Sequence, residues 1–210
     1  MSFSLDKNFI FEKLNFKKVK HIKKVAEEAG IYFFRLNKGS TFNSFENIKN
    51  DRMIYIGKAE NSLNSRLFDN HLSISKNFST LRRSVGAVLK DQLRLSASPR
   101  ISAKTGKINS YYNYSYAKLK NIGTDDKNFI IYDIDNYDDE NKLNDWIYDN
   151  LEYSYFKFIN PEDIETDVKK IFKPVLNIDH DDDYNTYKER IKNLRLYCRK
   201  ECKSNYKQKI

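Results

Sequence analysis

Two short strand-like segments each set a tyrosine beside isoleucine and glycine: Gly30-Ile31-Tyr32 within EEAGIYFFRL (27–36) and Tyr55-Ile56-Gly57 within DRMIYIGKAE (51–60). A phenol titrates near pH 10, so it does acid–base work at neutral pH only where a cation lowers it. Two cations follow the second segment, Lys58 directly and Arg66 a few residues on. The residues alone leave two readings open. Tyr32 and Tyr55 are core aromatics of a sheet, where tyrosine is favoured, or they are two halves of one site built from tyrosines. Glu165, read from its position alone, complements the positive end of its helix, as Glu162 and Asp163 do.

Charge points toward the second reading. The formal net charge is +9, and it is unevenly spread. From Arg82 to Lys120 nine Lys/Arg stand against one acid, Asp91, and from Lys188 to the end nine more stand against Glu189 and Glu201. Residues 133–167 hold twelve Asp/Glu against Lys142 and Lys157. A basic surface beside an acidic patch suits an enzyme of nucleic acids that also holds a cation. The plainer alternative is a solvated, Lys-rich surface. Cys198 and Cys202 lie four apart with no second cysteine pair to complete a zinc site, so they read as two reduced thiols. A hydrophobic share of 40% and an aromatic share of 14% exclude a disordered chain. Neither a leader segment nor an apolar run of about 18 residues is present, so a soluble, cytoplasmic protein with no membrane partner is expected.

These residues need elements to position them. Residues 8–15 read as a short strand or apolar arm, and Phe16, Val19, Ile22 and Val25 predict a helix face that stops at Gly30. Residues 31–36 and 52–57 read as an antiparallel strand pair joined by a long polar loop. A helix over 61–72 directs Leu63 and Leu67 inward, with Arg66 and Asn70 on a neighbouring polar face. A second helix spans 79–93 with Ser79 as N-cap. Strands are expected at 128–134 and 153–158 and a helix at 141–151. Asn160 then caps a helix with Pro161 at its first position, and Pro174 ends it. The acidic run at 179–183 reads as a solvated loop, and a basic helix covers about 184–204.

Taken in order, Gly30-Ile31-Tyr32, Tyr55-Ile56-Gly57, an arginine in the next helix and a glutamate ahead of Pro174-Val175-Leu176-Asn177 resemble the GIY-YIG nuclease superfamily. The set is far more specific than either tripeptide, and the resemblance covers roughly residues 25–90 and 128–178. In the repair incision nucleases of the superfamily the metal-binding glutamate lies twelve residues before the asparagine, as Glu165 lies before Asn177. The resemblance implies an α+β fold, with a small mixed or antiparallel three-stranded central sheet flanked by helices. Basic insertions and a C-terminal helix are added to it. The nuclease domain then spans 1–178, with a DNA-gripping insert at about 94–127, and 179–210 holds the acidic loop and the basic helix.

Roles follow from the same resemblance. Tyr32 and Tyr55 flank the scissile phosphate, and one of them helps deprotonate the attacking water. Lys58 and Arg66 lower the tyrosine pKa and stabilise charge on the phosphate oxygens. Glu165 is the single protein ligand of Mg²⁺ or Mn²⁺, and Asn177 positions a tyrosine or a phosphate-bound water. His71 is a candidate base or phosphate contact. Its offset from Arg66 is one residue longer than in related sequences, which leaves its orientation open; the alternative is a surface histidine.

The long loop at 33–54 and the insert at 94–127 exceed what cleavage needs, so they are expected to grip duplex DNA. Arg82, Arg83, Arg94 and Arg100 would contact phosphates or bases. Tyr111, Tyr112, Tyr114 and Tyr116 would stack or contact phosphate, or else form an edge strand. A compact chain without a separate recognition domain is most like the restriction-endonuclease-type members, which points to restriction or phage defence. One site per chain would favour a homodimer for cutting both strands. The rival readings are a structure-selective repair or recombination nuclease, and a non-catalytic nucleic-acid-binding protein on the same fold.

Overall fold

The computed structural model describes residues 6–45, 48, 52–73, 79–99, 132–134, 137–178 and 185–207. Its centre is a four-stranded antiparallel sheet in the order β1-β6-β2-β3, built from β1 (Lys17–Lys18), β2 (Gly30–Leu36), β3 (Met53–Ala59) and β6 (Leu151–Lys157). Strand β2 is central and almost wholly buried, because β-branched and aromatic side chains fill both of its faces. The expected three strands are therefore present, with the two-residue β1 added at one edge.

Each face of the sheet has its own cover. Tyr32, Phe34, Leu36, Tyr55 and Tyr153 pack with Leu63 and Leu67, with α3 (Thr80–Leu93), and with α4 (Tyr137–Asn150) through Leu143, Trp146 and Ile147. Ile31, Phe33 and Ile56 pack on the other side against Ile10 of α1 (Lys7–Lys13) and Ile164, Val168 and Phe172 of α5 (Glu162–Phe172). A bulge between Phe34 and Arg35 leaves Ile54 outside the ladder, since Phe34 opposes Tyr55 while Arg35 opposes Met53. The outer edge of β3 is closed by the chain after α5, where Val175 and Leu176 donate to the carbonyls of Met53 and Ile54. A small second sheet pairs β4 (Ala97–Pro99) with β5 (Tyr132–Ile134), and α6 (Lys188–Lys207) packs against it and against α3.

Several local expectations change. Residues 8–15 hold a helix, α1, capped by Asp6, whose side chain accepts from the Asn8 amide. No helix covers Phe16 to Val25; β1, a 3-10 turn at Val19–His21 and extended chain occupy it. A strict three-residue repeat lacks the i+4 contacts of an α-helical face, and it suits tight or extended backbone equally well. Asn160 does not cap α5 through its side chain; Pro161 holds the N-cap position, and the Asn160 carbonyl accepts from the Asp163 amide. Ser79 is the N-cap of α3 as expected, accepting from the Arg82 amide at 3.1 Å. The predicted strand at 128–134 is seen at 132–134, in the small sheet rather than the central one; 128–131 lie outside the described residues.

Candidate active site

The two glycines of the strand pair are dictated by what lies against them. Gly57 stands opposite Tyr32, and a Cβ at Gly57 would run into the Tyr32 hydroxyl. At Gly30 a Cβ would strike the Phe156 carbonyl oxygen of β6. The Tyr32 phenol therefore lies flat across β3, fully buried, with its ring 6.3 Å from that of Tyr55.

Arg66 and His71 reach this phenol from the opposite element. A three-residue helix, α2 (Leu63–Ser65), continues as a π-helical turn over Arg66–His71. The Leu72 amide closes it by donating to the Leu67 carbonyl five residues back, at 2.9 Å. A π turn repeats its face every five residues where an α-helix does so every four. The extra residue between Arg66 and His71 is absorbed there, and both side chains meet Tyr32. Arg66 Nε donates to the Tyr32 oxygen at 3.2 Å, and His71 Nε2 lies 2.8 Å from it.

These contacts are satisfied by a chain of donors in which neutral His71 carries its proton on Nδ1. The Tyr32 oxygen accepts from Arg66 and from the Tyr55 hydroxyl, so its own proton is left to donate to His71 Nε2. His71 Nδ1–H then donates to Ser79 Oγ at 2.8 Å, the oxygen that also accepts the helix-capping bond from Arg82. Burial, reinforced by the Arg66 and Arg82 charges, holds the His71 pKa well below its ordinary value, so the ring is a neutral acceptor. Burial likewise raises the Tyr32 pKa, and Arg66 only partly opposes this. Arg66 thus acts on this phenol in the expected direction, but burial outweighs it, so Tyr32 rests protonated with a base already bonded to it.

The cationic and anionic groups of the set face one another at the end of the sheet where β2 begins. Glu165, in the first turn of α5, acts electrostatically on Tyr32, Arg66 and Lys58. One of its oxygens lies 2.9 Å from Lys169. Lys58 pairs with Glu60 at 2.8 Å, and its pKa is raised chiefly by that hydrogen bond. Beside them opens a groove of about 560 Å³ lined by Lys58, Glu60, Arg66, Asp69 and Asn70, among others. Among the described residues no three or more His, Cys, Asp or Glu gather where they could hold a metal ion.

The remaining expected residues divide. Asn177 is buried and braces the strand beside Tyr55: its amide accepts from the Ile56 N–H at 2.9 Å and donates to the Ile56 carbonyl at 2.8 Å. It thereby holds the edge of β3 between Tyr55 and Gly57. Arg82 is corrected from a DNA contact to an interior residue. It is 7% exposed, ion-paired with Glu140, and bonded to Asn144 Oδ1 at 2.9 Å and the His71 carbonyl at 3.2 Å. Arg83 is half-buried and reaches back to Thr80 Oγ1 at 3.3 Å. Arg94 is exposed at the left-handed C-cap of α3, open to a partner. Arg100, Tyr111, Tyr112, Tyr114 and Tyr116 lie outside the described residues. Ser79, Glu140 and Asn144 belong to the site's support and were not read as such. Ser79 carried a signal, but only as a helix cap.

A family model described as the GIY-YIG catalytic domain matches residues 30–118 and 112–200 of the chain. No curated protein and no solved structure matches it.

Proposed function

Given that the chain belongs to the GIY-YIG catalytic domain family and is thereby a nuclease, we propose that it is a metal-dependent DNA endonuclease serving restriction or phage defence. The observation carrying this reading is the Tyr55–Tyr32–His71 hydrogen-bond chain, with Arg66 on Tyr32 and Glu165 acting electrostatically on both. Tyr55 is the less buried phenol, at 6% against 0% exposed for Tyr32. Tyr55 accepts the proton of the attacking water as its own moves to Tyr32, and the Tyr32 proton moves to His71 Nε2. The water oxygen bonds to phosphorus, and the bond to the leaving oxygen breaks in line. Arg66 and Lys58 hold the phosphate oxygens, Arg66 through a planar fork that stays charged throughout. Ser79 keeps Nδ1 of His71 protonated and Nε2 free to accept.

A single, partly exposed carboxylate fits Mg²⁺ or Mn²⁺, which keep most of their waters and bind through one or two carboxylates plus phosphate. Glu165 would hold the ion, which when bound supplies neutralising charge to the leaving oxygen. Among the described residues no helix is long and apolar enough to cross a membrane. A second reading, a structure-selective nuclease, draws support from a cavity beside β6 lined by Lys13, Lys17, Lys24, Lys157, Phe9 and Phe158.

The test is incubation of long duplex DNA with Mg²⁺ or Mn²⁺, followed by sequencing of the ends. Discrete fragments sharing an end sequence are expected, and Glu165→Ala should stop cleavage while DNA binding persists. Cutting confined to junctions or flaps would replace restriction by the structure-selective reading. Full cleavage by Glu165→Ala would remove the metal assignment.

A further inference from the structure

Strand β1 pairs only with Glu152 and Tyr153, so beyond Tyr153 the outer edge of β6 has no strand partner among the described residues. A cavity of about 600 Å³ opens there, between α1, the chain at 22–25 and the first turn of α5. Four lysines line it, Lys13, Lys17, Lys24 and Lys157, and no Asp or Glu does. Lys157 is drawn 2.6 Å from Glu28 and Lys13 lies 4.6 Å above the Phe9 ring, whereas Lys17 and Lys24 make no ion pair among the described residues. Aromatic side chains alternate with the lysines. Phe9 is 50% and Phe158 39% exposed, and Tyr155 is half-buried. Tyr153, 2% exposed, lines the wall with a buried hydroxyl that has no hydrogen-bond partner among the described residues.

We propose that this cleft binds a single-stranded segment of the nucleic-acid substrate, its phosphates on Lys17 and Lys24 and its bases against Phe158 and Phe9. Lysines interleaved with exposed rings are the composition of a single-strand site, where bases stack and the backbone is tracked electrostatically. A wall without carboxylates favours a polyanion over an extended peptide or a second copy of this cationic chain. The cleft also adjoins elements that carry the chemistry. Tyr155 stands directly opposite Tyr32 in the β2–β6 register, and Ile164 of the cleft is the chain neighbour of Glu165. A strand passing the first turn of α5 therefore moves from one site into the other. The assignment rests on the nuclease reading and adds to it a preference for duplexes carrying an unpaired strand.

The experiment measures fluorescence anisotropy of a labelled oligothymidylate of about 10 nucleotides, without divalent metal, and cleavage of blunt and flap-bearing duplexes with it. Lys17→Glu/Lys24→Glu should weaken oligonucleotide binding at least about tenfold and reduce the slope of log K against log salt by about 1.4, from 0.7 per phosphate contact. Phe158→Ala should weaken it about tenfold through lost stacking. Both variants should cut blunt duplex at the wild-type rate, which also shows that they fold, and lose their advantage on flaps. Arg66→Ala should bind the oligonucleotide normally and cut nothing. The proposal is overturned if the cleft variants bind the oligonucleotide as wild type does, or if they change only a monomer–dimer equilibrium seen by light scattering. A wild type that binds the oligonucleotide at the cleft but cuts no nucleic acid overturns the nuclease reading and leaves the cleft standing.

Discussion

His71 is the residue on which the site's electrostatics converge, since it is fully buried, neutral, and bonded on both ring nitrogens. The unfolded chain takes up a proton there near pH 6.5 that the folded chain refuses. Its contribution to stability is therefore complete above that pH and is lost as pH falls below it, by up to about 1.4 kcal/mol per pH unit. Urea midpoints between pH 7.5 and 5 should show this decline in wild type, and His71→Gln should flatten it. If His71 and Tyr32 act as one relay, Tyr32→Phe and His71→Gln should each slow cleavage by about 10² to 10⁴. The double variant should be little slower than either, because units that act together are not additive. Multiplying penalties in single-turnover rates would dissolve the relay. Arg82 shows what residue type alone conceals. Its count among the basic residues suggested DNA, but its partner Glu140 lies 58 positions away and both side chains are almost wholly buried. Arg82→Ala should lower stability by about 3–5 kcal/mol, because a buried carboxylate loses its guanidinium partner. Arg94→Ala should leave the unfolding midpoint unchanged and reduce the salt slope of duplex binding by about 0.9.

Among the elements, the π turn decides whether the motif works. The tyrosines and Arg66 were legible because short-range spacing places them, on two adjacent strands and at the start of one helix. The orientation of His71 was not, because one residue either rotates a helical side chain away or is taken up in a wider turn, and spacing alone does not choose. The wider turn forms here with Leu67 and His71 both buried beneath it, so burial of that face offsets its poorer backbone geometry. A deletion should then be tolerated where deletions ordinarily are not. Removing exposed Asp69, which accepts a surface bond from Ser65 at 2.7 Å, converts the turn to an α-helical one. His71 would then follow Arg66 at i+4, on the same face. Cleavage should persist within about tenfold of wild type, with little loss of stability. Deleting Gly86 from buried α3 is the control, since it rotates the apolar stripe and should unfold the protein. Loss of cleavage by the Asp69 deletion, in a protein that still melts like wild type, would mean that the π geometry itself is needed.

At the scale of the whole molecule, the sheet and its two covers were legible from alternating strand and helix patterns, whereas the docking of the last helix was not. A basic tail with two cysteines reads as solvated surface until tertiary contacts are known. In the structure α6 turns Cys198 and Cys202 into the interior against Ala87 and Ala97, and both are 0% exposed. Lys90 of α3 meets Glu201 of α6 at 2.7 Å, and Glu201 also accepts from the Ala97 amide at 3.1 Å, so one carboxylate ties the helix to both neighbours. Burial pushes the Cys198 thiol up to about 12, far above the pH at which thiol reagents discriminate. At pH 8 the native protein should therefore react with an aromatic disulfide reagent only as fast as α6 opens, and both thiols should titrate at once in denaturant. Glu201→Gln keeps the side chain's size and its bond to Ala97 while removing the ion pair with Lys90. It should speed thiol labelling severalfold without altering Tyr32, Arg66 or His71, so blunt-duplex cleavage should stay at the wild-type rate. Equal slowing of cleavage would mean instead that α6 supports the catalytic face through α3, whose first residue follows the cap that holds His71.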